Sequence, residues 1–155
     1  MNIKVEIPRA LRAAYMALHR RTDAQLAPHG VTADQFVLLA NLGRGNALTQ
    51  RELASRMPSD PSTVRAMLVI LERRGLVSRD AHPTDSRART AALTAKGKRK
   101  LEELLEAGES IRQQMFDALL PGEPEALVGF LKSVAEALNT ESALVNGTNS
   151  NHSKG

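Results

Sequence analysis

Apolar positions recur at helical spacing along most of this chain. From Arg9 to Ala27 the positions Leu11, Ala14, Tyr15, Leu18, Thr22 and Leu26, apolar except for Thr22, follow steps of three and four, the stripe of an amphipathic helix. Pro28, His29 and Gly30 end it. A second helix starts after Thr32, with Phe36, Val37, Leu39, Ala40 and Leu42 as its buried positions, and stops at Gly43 to Asn46. Thr49-Gln50-Arg51-Glu52 reads as a capping box, in which Thr49 and Glu52 satisfy each other's backbone donors at a helix start. That helix is short, because Met57-Pro58 breaks it. Ser59 or Asp60 then caps a new helix with Pro61 in its first turn, where a missing N–H costs nothing. Val64, Met67, Leu68 and Leu71 form its core stripe, and Gly75 supplies a left-handed stop.

After Gly75 the period changes from helix to strand. Leu76 to Arg79 and Arg89 to Leu93 flank a polar tip, Asp80 to Ala88, and predict one β-hairpin with a long basic turn. Thr94 caps a helix whose stripe of Leu101, Leu104, Leu105, Ile111 and Met115 predicts an unbroken run from Ala95 to Leu120. Pro121 to Pro124 punctuate it, and a last helix from Glu123 to Asn139 carries Leu127, Phe130, Leu131, Val134 and Leu138. The Asn- and Ser-rich remainder, 140–155, has little to bury and is expected to be disordered. The fold class expected is mainly α with a small β-hairpin wing. A first helical segment (1–30) and a last one (95–139) flank a lobe at 31–94.

Composition narrows the chemistry. With no Cys in 155 residues, disulfide scaffolds, thiolate zinc sites and thiol oxidation sensors are excluded. No apolar run approaches the ~20 residues of a membrane span, and Met1 to Pro8 lacks the apolar core of a signal peptide, so a soluble, cytoplasmic protein with no membrane partner is expected. The four His show no ligand spacing, and there is no phosphate loop, nucleophile elbow or isolated carboxylate pair; no metal, cofactor or catalysis is expected. Charge is more telling by position than by sum. Arg51 to Lys100 hold twelve Lys and Arg against five Asp and Glu, a net of +7, which leaves −3 for the rest of a chain totalling +4.

A short helix, a turn, a second helix and a basic hairpin together form the geometry that places a recognition helix in a DNA major groove with a wing beside it. In the turn and on the first turn of that helix, Ser59, Pro61, Ser62 and Thr63 are placed to meet phosphates or base edges, and Arg65 to fork onto a guanine. Around the hairpin, Arg79, Arg87 and Arg89 suit the narrow minor groove, where negative potential is concentrated. Double-stranded DNA is therefore the expected partner. A protein-contact module and a non-specific architectural DNA binder are the competing readings.

The stretch from Leu48 to Gly97 resembles the core of the multiple antibiotic resistance regulator (MarR) family. The matching features are the LTQxELA opening, the P-S-T-V start of the recognition helix, LExRGLVxR into the first strand, the D-x-R of the wing and the closing L-T-x-x-G. The resemblance implies a winged helix-turn-helix regulator, a homodimer whose first and last helices intertwine, with two lobes reaching successive major grooves of a pseudo-palindrome. It also implies that Asp85 braces the wing and that Arg87 enters the minor groove. Ser86 stands where the usual wing has a second basic residue, a gap that Arg89 is positioned to fill. Members commonly release DNA when an aromatic or phenolic acid, or its thioester, binds between helices and lobe. No motif transfers for that pocket. On chemistry alone Tyr15 and His19, one turn apart, with Phe36 suit stacking on an aromatic acid, and Arg12 suits pairing with its carboxylate.

Overall fold

The computed structural model describes residues 1–85 and 88–148. Seven α-helices and three short strands appear among them: α1 (Ile3–Leu26), α2 (Ala33–Leu42), β1 (Leu48–Thr49), α3 (Gln50–Arg56), α4 (Pro61–Arg73), β2 (Val77–Ala81), β3 (Arg89–Leu93), α5 (Ala95–Ala107), α6 (Glu109–Asp117) and α7 (Glu123–Thr148). The chain divides into two compact units, Met1–Ile111 and Arg112–Gly155.

In the first unit, capping residues set the helix starts. Thr32 and Gln35 form a full capping box at α2, Thr49 Oγ1 accepts from the Glu52 N–H at α3, and Thr94 Oγ1 from the Gly97 N–H at α5. The sheet has the order β1-β3-β2, all antiparallel, with Val77 opposite Leu93 and Leu48 opposite Ala91. Strand β1, two residues long, is not visible in any periodicity and pins the start of α3 to the base of the wing. The core joins Leu26 of α1 to Leu38, Leu39 and Leu42 of α2, Leu53, Val64, Leu68 and Leu71 of α3 and α4, Leu76, Val77 and Ala91 of the hairpin, and Leu101 and Leu104 of α5. This core takes residues from both sides of positions 30 and 94.

Backbone-directed side chains hold the corners of that core. Arg74 donates to the Gly30 carbonyl at 2.6 Å, Lys96 to the Arg74 carbonyl at 2.8 Å, and Thr94 Oγ1 to the Gly75 carbonyl at 2.6 Å. His29 Nδ1 lies 2.8 Å from Glu103, whose second oxygen meets Lys100 at 3.1 Å, and these contacts hold the Glu103 carboxyl below its usual range. Gly97 approaches the Leu76 carbonyl so closely that a Cβ there would overlap it.

Several sequence expectations are corrected. Helix α1 begins at Ile3, capped by Asn2, and carries Pro8 inside it. Leu38, missing from the expected core of α2, is fully buried, whereas Phe36 and Val37 are only partly so. The run from Ala95 to Leu120 is split at Gly108, a poor helix former, into α5 and α6. Helix α7 continues to Thr148, past the Asn139 end expected from composition, because Glu141 to Val145 retain helix formers within the polar tail; 149–155 lie outside the described residues. The stripe of α1 is the largest departure: only Leu26 is buried, while Tyr15 and Leu18 remain exposed. In the second unit Phe130 is 70% exposed and Leu138 66%. Among the described residues no helix is long and apolar enough to cross a membrane.

Candidate nucleic-acid interface

The site is built where α3, α4 and the wing meet. Pairing of β1 with β3 brings Gln50 and Arg51 against the hairpin, and the Gln50 amide donates to the Pro61 carbonyl at 2.9 Å, tying the start of α3 to the start of α4. The result is an open groove of about 720 Å³. Arg51 of α3, Arg65 of α4, Arg79 of β2 and Arg89 of β3 all line it, beside His82 and Asp85 of the wing. Four guanidinium groups from four elements along one concavity make a strong positive field matched to a phosphate backbone.

Of the residues expected from sequence, Pro61, Arg65, Arg79, Asp85 and Arg89 come together in this groove. Ser59 lies half-buried in the turn before α4, and Ser62 and Thr63 stand exposed on its first turn. Arg87, with Ser86, lies outside the described residues. Thr63 is already engaged: its N–H and its hydroxyl donate to the two carboxylate oxygens of Asp60 at 2.9 and 3.0 Å. These donors hold the Asp60 carboxyl below its ordinary value, so the helix terminus expected to greet a phosphate carries its own anion. Arg74, Lys96 and Lys100, counted in the basic cluster, are tied to backbone carbonyls or to Glu103. Lys100 is thus offset by Glu103, and Arg74 and Lys96 keep their charge but are held away from the groove that Arg51, Arg65, Arg79 and Arg89 line.

Arg51, Gln50 and His82 were missed as site residues. Arg51 was legible only as one cation among twelve, since its position depends on a two-residue strand.

The residues considered for a small acid are distributed differently. Tyr15 and His19 stack with centroids 5.8 Å apart, and His19 also lies 3.6 Å from Asp23, which accepts from the Ala33 N–H. Arg12 opens onto a separate hollow along α1, with Arg9, Met16 and Arg20, and Phe36 packs against the core.

The chain is similar to known transcriptional regulators. The MarR family model matches residues 31–88, the lobe that holds the groove. The chain is 28% identical to the HTH-type transcriptional repressor MdtR of Bacillus subtilis over 88% of each chain. It is 30% identical to the uncharacterised HTH-type transcriptional regulator YdcH of the same organism, over 83% of this chain and 86% of the relative. Among solved structures, Bordetella bronchiseptica BpsR, described for regulation of its DNA binding by 6-hydroxynicotinic acid, superposes with a TM-score of 0.73. It is 29% identical, covering 83% of this chain and 92% of that one.

Proposed function

The chain belongs to the MarR family of transcriptional regulators and is not an enzyme, and from that premise we propose that it is a cytoplasmic homodimeric repressor, released from a pseudo-palindromic operator by a small aromatic or phenolic acid or its thioester. The observation that carries the DNA assignment is the groove lined by Arg51, Arg65, Arg79 and Arg89 between the recognition helix and the wing. In this reading Arg65, on the exposed face of α4, reads base edges, with Ser62, Thr63, Pro61 and Ser59 at the phosphates beside it. Arg79, Arg89 and Arg87 serve the wing, and Asp85 braces it.

Dimerisation is supported by the uncovered apolar side chains of α1 and α7, each too large a set for a stable lone chain to leave in water. Two-fold symmetry then presents two recognition helices to half-sites about one DNA turn, ~34 to 36 Å, apart. Repression is supported by the name of MdtR, and an aromatic acid effector by the description of BpsR. Tyr15 and His19, which stack, are the residues proposed for it; Arg12, on a separate hollow, and Phe36, against the core, are proposed only as its outer partners. Because His19 faces Asp23, an incoming carboxylate displaces that contact.

A gel-shift and footprint series tests the whole reading. The protein is expected to protect a pseudo-palindrome upstream of its own gene in preference to random duplex, and to release it when a panel of aromatic acids and thioesters is added. Equal affinity for random and upstream duplex at matched salt identifies an architectural binder, and absence of salt-dependent DNA binding identifies a protein adaptor.

A further inference from the structure

One residue, His82, holds the described part of the wing tip through its ring and its backbone. His82 Nδ1 accepts from the backbone N–H of Asp85 at 3.0 Å and of Thr84 at 3.2 Å, with the Thr84 hydroxyl at 3.3 Å. The His82 N–H in turn donates to the Ala88 carbonyl at 3.1 Å, and the Ala88 N–H to the Asp85 carbonyl at 3.2 Å. Both ends of the wing tip are thus fastened to one residue, and its ring lines the same groove as the four arginines. A nitrogen that accepts two N–H bonds has a lone pair, so the closed frame requires the neutral ring with its proton on Nε2.

We propose that His82 is a positioning residue for DNA binding, whose neutral imidazole sets the wing turn so that Arg79 and Arg89 meet the duplex together; this rests on the groove being the DNA interface. Protonation at Nδ1 places a hydrogen where two amide hydrogens already point, and the bonds from Thr84 and Asp85 to the ring are lost. Among the described residues, the charged groups that line the groove with His82 are Arg51 of α3, Arg65 of α4, Arg79 of β2, Asp85 of the tip and Arg89 of β3, and Asp80 of β2 stands two residues before it in the chain. The four guanidinium groups oppose a positive ring, and the two carboxylates favour it. Bound phosphates also favour it.

Two variants separate position from mere presence. His82→Asn places an oxygen acceptor at the same number of bonds from Cβ as Nδ1, whereas His82→Leu removes the acceptor at similar size. In ¹⁵N spectra of the full chain at about pH 8, above the usual histidine range, the wild type is expected to show the Nε2-protonated tautomer. On acidification to about pH 5.5 its Thr84 and Asp85 amides move with the ring, while those of H82N stay. On a duplex from the region upstream of the gene, H82L is expected to bind about tenfold more weakly, as for loss of two neutral hydrogen bonds, and H82N to within about twofold of wild type. The ratio of wild-type to H82N affinity falls on acidification. An Nδ1-protonated tautomer, an H82L that binds like wild type, or a ratio that rises on acidification overturns the proposal; the last makes His82 a phosphate contact through its charge. Failure of every form to bind DNA refutes the interface and the positioning role with it, whereas a wrong tautomer alone refutes only the latter.

Discussion

Arg65 and Arg51 line one groove but stand on different helices, and the difference decides what each contributes. Arg65 projects from the exposed face of α4, one turn inside its start, and is the residue proposed to read base edges; Arg51 sits on the first turn of α3 and is proposed to meet the phosphate backbone. Arg65→Ala is expected to cost ~1 to 3 kcal/mol on the operator and little on random duplex, so that discrimination is lost. Arg51→Ala is expected to weaken both alike and to lower the slope of affinity against salt by about one. Binding isotherms on the two duplexes at several salt concentrations check this; equal losses on both duplexes from the Arg65 variant would sink its role in base readout. Asp60 belongs to the same scale. Its folded pKa is depressed by the Thr63 donors, so the contribution of the cap is present above the ordinary carboxylate value and is lost as pH falls through the lower, folded one. The cap is therefore intact throughout the pH range used to study His82.

Between elements, the strictest fit is where α5 crosses the corner between α4 and the wing. Thr94 and Gly97 act there as a pair: one hydroxyl caps α5 and donates to the Gly75 carbonyl, and the missing Cβ lets the helix rest on the Leu76 carbonyl. Gly97→Ala meets rigid backbone and is expected to destabilise by ~1 to 3 kcal/mol or more, through displacement of α5 from the hairpin. Gly43→Ala overlaps the end of the Leu101 side chain and touches the Ala40 and Leu39 carbonyls only at ordinary contact distance, and is expected to cost less. Urea unfolding of the two variants gives the order; a Gly97→Ala protein as stable as wild type would show that the corner yields. The L-T-x-x-G pattern was legible as a motif, but its reason, a carbonyl under a helix, required the crossing of two elements.

For the whole molecule, the exposed apolar side chains are the main unsolved stability problem of a single chain. Phe130→Asp is expected to turn a dimer of twice the 16.8 kDa chain mass into a monomer in sedimentation and to abolish tight operator binding, since one lobe alone spans one half-site. A dimer unchanged by that substitution would move the interface away from this face of α7. Sequence alone determined the order of most helices, the wing and most caps, because periodicity and capping depend on neighbours within a few residues, and the +7 concentration of charge, which is a count. Only tertiary structure decided which cations matter: Arg74 and Lys96 were drawn to carbonyls from other elements, while Arg51 was drawn into the groove by β1. It also decided that the stripe of α1 stays uncovered in one chain, since a stripe records that a face is apolar and not what will cover it.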